Sequence, residues 1–194
     1  VALLGHGGCG KTTFLESALF ETGVITRLGK VEDGNTVSDY DKMEIEKGYS
    51  INTSIVPIEW KGSKINFIDT PGYFDFIGEV NAALRAAEAA VIMVDAGAGI
   101  QVGTEQAWNA CERYKKPRFI VINKRDKDEF DFYKTFDELK AKFGDTLIPF
   151  SWPLTAEIDE GLKEAIAMTD DALMDKYFNG ENFTDEEIKK GLIK

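Results

Sequence analysis

The chain has 194 residues, 43% of them apolar and 29% charged, which is the make-up of an ordinary globular protein long enough to bury a substantial core. A net charge of −11 argues against a surface that coats naked nucleic acid, and no apolar stretch approaches the ~20 residues of a membrane span. Two cysteines far apart, Cys9 and Cys111, with a single histidine, His6, are too few for a zinc site or a disulfide framework, so a reducing cytoplasm is the expected compartment.

No signal-peptide pattern opens the chain. The run "VALLG" at residues 1–5 predicts a buried strand, and "KTTFLESALFETG" has helical spacing with Gly23 as its stop. Residues 26–50 are polar, acidic and glycine-dotted, long for a structureless connection and of the kind that carries function. "INTSIVPIEW" and "KINFIDT" flank Trp60-Lys61-Gly62-Ser63 and predict a hairpin, with Pro57 putting the first strand at a sheet edge. The alanine-rich "FIGEVNAALRAAEAA" predicts a helix, and "AVIMVDA" a strand covered on both faces. "GTEQAWNACERY" predicts another helix, leading into the strand "RFIVINK". Strands alternating with helices of this length imply an α/β fold, a mostly parallel sheet with helices on both faces. Beyond residue 126, "FDFYKTFDELKAKFG" predicts a helix and "LIPFSWPL" an extended stretch. The remainder is acidic and helical, with a capping box of Thr184 and Glu187.

Three motifs carry chemistry. "GHGGCGKT", residues 5–12, matches the phosphate-loop pattern Gly-x-x-x-x-Gly-Lys-Ser/Thr. Glycines let successive backbone N–H groups of His6, Gly7, Gly8, Cys9 and Gly10 turn toward an oxyanion at a helix N-terminus. Lys11 would reach the β- and γ-phosphates and the Thr12 hydroxyl would bind Mg²⁺, with Thr13 alongside. "DTPG" places Asp69 at a strand end, where a carboxylate holds Mg²⁺ through water, and Gly72 where its N–H bonds a γ-phosphate. "NKRD" selects the base. The Asp126 carboxylate only accepts, so it suits the N1–H and exocyclic amine of guanine and meets a lone pair at N1 of adenine. Lys124 can cover the base with its stem, and Asn123 can tie this loop back to the phosphate loop.

The order and spacing of these motifs resemble the GTP-binding domain of translational GTPases, elongation factor G most closely. "INFIDTPGYFDFIGEV", "GIQVGTEQAWNACERYKKPRFIVINKRD" and the closing "LMDKYFNGENFTDEEIKKGLIK" carry that resemblance. It implies a phosphate-loop GTPase core over residues 1–127. Residues 128–194 would hold the remaining core elements and the small extra subdomain of the elongation factor G branch. It also implies GTP and GDP as ligands, Mg²⁺ as cofactor, the ribosome as partner, and hydrolysis of GTP in translation elongation. "EKGYSI" lies where the family has Arg-Gly-Ile-Thr-Ile, so Ser50 would supply the hydroxyl to Mg²⁺ beside Thr12 and Asp69. Tyr73 stands where the family has the histidine that orders the attacking water, and Gly8 where it has an aspartate near the phosphates. Gly7 and Tyr49 replace small aliphatic residues around that catalytic side chain. Lys11 and Tyr73 are thus the catalytic candidates, and the alternative is a nucleotide-gated ribosome-binding factor with little hydrolysis. The family's last base-contacting motif, Ser-Ala followed by Lys or Leu, has no counterpart after the subdomain-like segment. Thr155-Ala156 stands before it, so the resemblance implies part of a longer multidomain factor. Cys9 in the loop admits two readings, a redox-sensitive thiol or a small side chain that the loop tolerates.

Overall fold

The computed structural model describes residues 1–124, 126, 132–144, 147–150 and 160–193, and it divides into two compact units, Val1–Glu138 and Leu139–Lys194. In the first unit, β1 (Ala2–Gly5) is buried along its whole length and leads through the glycine-rich turn into α1 (Lys11–Glu21). The edge strand β2 (Ser54–Trp60) and β3 (Ser63–Asp69) form an antiparallel hairpin. Lys61 and Gly62, both at positive φ (48° and 77°), make the two-residue turn whose twist matches the strands. Pro57 lies on β2, at the sheet's edge, where a missing N–H costs no ladder bond.

A 3-10 turn, Phe74–Phe76, opens α3 (Ile77–Ala86), followed by β4 (Ala90–Asp95), α4 (Val102–Tyr114) and β5 (Arg118–Asn123). The sheet order is β2-β3-β1-β4-β5, and every pairing except the β2–β3 hairpin is parallel. From β1 the chain moves one way to β3, then returns past β1 to β4 and on to β5. Because parallel crossovers are right-handed, α1 covers one face and α3 with α4 the other. Under α1 the core holds Leu3, Leu15, Leu19, Val56 and Ile58, with Phe14 and Phe67 packed against them. On the return side, Cys111 is fully buried, Trp108 lies under the Arg118 guanidinium and Tyr114 beside Arg85. Lys116 donates to the Ala87 carbonyl at 2.5 Å and Arg118 pairs with Glu112, so the basic run at 115–118 serves this packing.

Residues 26–50 contain one element that periodicity does not reveal, α2 (Lys42–Lys47). Asp41 caps it, accepting from Met43 N, while Glu44 reaches back to Asp41 N, and Gly48 in the left-handed region ends it. The helix α5 (Phe132–Phe143) runs through the boundary of the two units; Phe130 and Asp131, expected to begin it, lie outside the described residues. Of the stretch expected to be extended, residues 147–150 join no strand, and 151–154 lie outside the described residues, as do Thr155 and Ala156.

The second unit holds α6 (Glu160–Ala167), α7 (Asp171–Phe178) and α8 (Asp185–Ile193) around Leu162, Ile166 and Leu173, with Phe183 and Ile188 against them. The Thr184–Glu187 capping box forms, and Glu187 also pairs with Lys176 at 2.6 Å. Among the described residues no helix is long and apolar enough to cross a membrane.

Candidate functional site

The turn after β1 is built by close approach. Gly10 sits at φ 97° as the N-cap of α1, and a side chain there would begin 2.3 Å from Asn123 Nδ2. The Asn123 amide uses that space to donate to the Cys9 carbonyl at 3.0 Å, joining the end of β5 to the loop. Lys11, nearly buried, lays its ammonium across the loop and donates to the Gly5 carbonyl (3.1 Å) and the His6 carbonyl (3.0 Å). His6 Nδ1 accepts from Gly103 N at 3.4 Å, so its ring ties the loop to the start of α4. Gly8 opens to solvent at φ 77°, and Thr13 faces outward. Cys9 is fully buried, and that burial pushes its thiol up although Lys11 pulls the other way. Of its two readings, the tolerated small side chain fits and the redox-sensitive thiol does not.

Beneath the loop lies an oxygen cluster. Asp69, buried at the end of β3, accepts from the Thr12 hydroxyl (2.8 Å) and the Ser38 hydroxyl (2.9 Å) through one carboxylate oxygen, while the other, Oδ1, has no partner. Ser50 Oγ lies 3.4 Å from Thr12 Oγ1. Burial raises the Asp69 carboxyl above the ordinary carboxylate range, against the hydrogen bond from Thr12 and the charge of Lys11. Asp39, from the same segment as Ser38, is also buried, and its Oδ2 has no partner. Burial lifts Asp39 to about 6, opposed by a hydrogen bond from Ser50 and assisted by the nearby charges of Asp69 and Glu44. Three hydroxyls and two buried carboxylates with unpartnered oxygens form a donor set of hard oxygens. Such a set fits a small divalent cation of the Mg²⁺ kind, which takes one or two carboxylates and completes its shell with waters and phosphate oxygens. Among the described residues no group of three histidine, cysteine, aspartate or glutamate side chains could hold a metal by itself.

Above the loop, Gly72 comes so near that a Cβ would lie 2.5 Å from Lys11 Nζ and 2.6 Å from Gly7 N. The next residue, Tyr73, turns its ring over Gly7 and meets Tyr49 edge-on, with ring centroids 4.7 Å apart. At the other end of the site, Lys124 takes φ 62° and pairs with Asp95 at 2.7 Å; Asp95 also accepts from Gly97 N. Asp126 is exposed in the turn that follows.

Lys11, Thr12, Ser50, Asp69, Gly72, Tyr73 and Asn123 are thus gathered at the C-terminal edge of β1, β3 and β5. That edge, beside the strand where the chain reverses its direction of travel, is where open α/β sheets bind ligands. Three neighbours of the site were not singled out from the sequence: Ser38 and Asp39 in a polar stretch, and Asp95 at a strand end. Only for Asp95, which ends an apolar strand as Asp69 does, does the sequence offer a cue.

A mostly parallel five-stranded sheet with its phosphate-loop turn at the reversal point matches the fold of a GTPase domain. More particularly, the chain belongs to the elongation factor Tu GTP-binding domain family, whose model matches residues 1–189. It is 43% identical over 157 residues to elongation factor G of Granulibacter bethesdensis and 41% identical over 157 residues to that of Gluconobacter oxydans. Each match covers 81% of this chain, which spans only 23% and 22% of those relatives. A solved structure from Thermus thermophilus matches with a TM-score of 0.83 at 34% identity, over 98% of this chain and 34% of its own. The bacterial selenocysteine-specific elongation factor shares the fold, with a TM-score of 0.57 over 73% of this chain and 22% of its own.

Proposed function

We propose that the chain is the nucleotide-binding domain of a GTP-driven translation factor of the elongation factor G type, a Mg²⁺-dependent switch that acts at the ribosome in the cytoplasm. The observation that carries this reading is the oxygen cluster of Thr12, Ser38, Ser50 and Asp69, on which the charge of Lys11 acts. Residues 1–127 form the GTP-binding core in this reading, and α6–α8 belong to the small extra subdomain.

The loop's backbone N–H groups, from His6 to Thr13, and the α1 N-terminus bind phosphate oxygens, and Lys11 exchanges its bonds to the Gly5 and His6 carbonyls for the β- and γ-phosphates. Thr12, Ser50 and, through water, Asp69 hold Mg²⁺, which when bound neutralises phosphate charge during transfer. Gly72 donates its N–H to the γ-phosphate, and Tyr73 lies where the attacking water is ordered. Asn123 braces the loop, Lys124 covers the base and Asp126 reads guanine. Ser38, Ser50 and Tyr49 come from the segment before β2, so γ-phosphate and metal order that segment and hydrolysis releases it.

One observation favours a second reading, in which nucleotide gates ribosome binding with little turnover. Tyr73 fills its place with a phenol ring lodged against Gly7 and Tyr49. A phenol can donate and accept hydrogen bonds, but its greater length changes its reach from that of an imidazole. Single-turnover hydrolysis of GTP by the full-length protein, with and without ribosomes, decides between them. Tight GTP binding with Mg²⁺, weak competition by ATP and a ribosome-stimulated rate support the first reading. Tight binding with no such rate, and activity gained only by Tyr73→His, supports the second, and failure to bind GTP overturns both.

A further inference from the structure

The two oxygens of the Asp69 carboxylate are treated differently. Two hydroxyls converge on Oδ2, Thr12 at 2.8 Å and Ser38 at 2.9 Å, while Oδ1, also buried, has no partner. A carboxylate oxygen has room for about two donors, so Oδ2 is filled and the rotation of the group about its last bond is set. If Ser38 served only to satisfy a buried charge, Oδ1 is the oxygen that needs it. Ser38 is itself 2% exposed and is held on its other sides. Its carbonyl accepts from the Ser54 hydroxyl at 2.7 Å, and Ser54 is the direct partner of Asp69 in the β2–β3 ladder. The N–H just before it, on Val37, is taken by Glu16 of α1. Thr12 reaches Asp69 from the first turn of α1, whereas Ser38 reaches it across 31 residues of sequence from a segment with little regular structure. Of the two donors to Oδ2, one belongs to the frame of the fold and the other to that segment.

We propose that Ser38 is a positioning residue that makes the grip on a divalent cation depend on whether the segment before β2 is docked. Its hydroxyl keeps Asp69 turned so that Oδ1 is left for the water shell of the cation. The proposal rests on the reading that Asp69 holds Mg²⁺ through water, and it is independent of whether GTP is turned over. Ser38 acts through the carboxylate, and Ser54 acts through Ser38. With the segment docked, Oδ2 has both donors and the carboxylate keeps one orientation. With the segment undocked, Thr12 is left as the single donor of the pair, and the carboxylate is free to turn. Coupling of this kind is reciprocal, so cation binding strengthens the docking of residues 37–39 by the same factor.

The test uses the full-length protein bound to GDP, with Mn²⁺ as the probe, titrated by its electron paramagnetic resonance signal. Ser38→Ala is expected to weaken Mn²⁺ affinity about tenfold, the loss of one hydrogen bond to a charged group, while GDP affinity in excess chelator stays within about twofold. That split separates positioning from a structural role, which lowers both affinities together. Hydrogen exchange reads the reciprocal effect. Mg²⁺ slows exchange of residues 37–40 in the native GDP complex, and the slowing is smaller by about threefold or more in Ser38→Ala. Ser54→Ala keeps the Ser38 hydroxyl but frees its carbonyl. It is expected to weaken Mn²⁺ affinity by about two- to threefold and to add nothing when combined with Ser38→Ala. Native Mn²⁺ affinity in Ser38→Ala overturns the proposal, as does a chelator-measured GDP affinity that falls in step with it, or losses from the two serines that multiply in the double variant. A native GDP complex that binds no Mn²⁺ overturns instead the metal reading beneath the proposal, and that measurement precedes any variant.

Discussion

The Asp39 carboxyl is buried among other acids, with Asp69 and Glu44 nearby and only Lys11 and the Ser50 hydroxyl to offset them, which lifts it to about 6. In protein free of metal and nucleotide the folded state therefore holds this proton more tightly than the unfolded state, whose carboxyl titrates near 3.8. The stabilisation from the protonated form is complete below about pH 4 and is lost as pH rises through about 6. Asp39→Asn is expected to be more stable than the native protein at pH 7 by about 1–2 kcal/mol and to show no advantage at pH 4, in urea unfolding with chelator present. Equal pH slopes for the two proteins would remove Asp39 as the cause. At the proposed base end, Asp126→Ala would remove the acceptor proposed for two guanine donors. GTP affinity is expected to fall about a hundredfold with ATP affinity unchanged, by competition against a fluorescent guanine nucleotide. These two residues also differ in legibility. Asp126 stands out in the sequence because Asn-Lys-x-Asp follows an apolar strand, the pattern proposed to read guanine. Asp39 is not, because its burial comes from distant neighbours and leaves no local pattern.

Residues 26–53 carry little regular structure, and carboxylates hold them by their backbone. Glu16 on α1, almost fully buried, accepts from Gly29 N (3.0 Å) and Val37 N (2.5 Å). Glu44 accepts from Ile51 N and Asn52 N, both at 2.9 Å, and Glu79 on α3 from Thr53 N at 3.0 Å. Each bond satisfies an N–H that no helix or strand supplies with a partner. Glu16→Ala strands two such groups, so a loss of about 2–4 kcal/mol is expected, with faster hydrogen exchange concentrated in residues 26–40. Glu16→Gln keeps one carbonyl acceptor and should lose less. Uniform exchange across the sheet in Glu16→Ala would show that the clasp is not local. Periodicity finds α1, α3 and α4 because each lays an apolar face on the sheet. It misses α2, whose buried side is a single glutamate, although Asp41 and Glu44 spell its capping box three residues apart. Likewise the hairpin was legible from Lys61-Gly62 and Pro57, whereas residues 147–150 have the apolar content of a strand and, among the described residues, pair with no strand.

At the scale of the molecule, every residue assigned to nucleotide or metal lies in Val1–Glu138, and the second unit has a core of its own in Leu162, Ile166 and Leu173. The alternation of strands and helices makes the first unit legible in sequence, because a parallel sheet needs a crossover for each strand. In the second unit the sequence shows only an acidic, helical remainder with one capping box, while its division into α6, α7 and α8 and the side chains that interlock are decided by packing. This separation has a measurable consequence. A ligand that binds only the folded site stabilises the elements that build the site, by about 2.7 kcal/mol at a hundred times its Kd. GDP with Mg²⁺ is therefore expected to slow hydrogen exchange in β1, β3, β4 and α1, with a smaller effect in α6, α7 and α8. Ile166→Ala acts in reverse. Ile166 is 2% exposed, and Gly191 packs so closely that a Cβ there would lie 2.7 Å from Ile166 Cγ2, so truncation opens a cavity between α6 and α8. Exchange in α6–α8 should rise by an amount equivalent to about 2–4 kcal/mol, while GTP affinity stays within about twofold. A tenfold loss of GTP affinity in Ile166→Ala would mean that the core of the second unit is needed to hold the nucleotide site in shape.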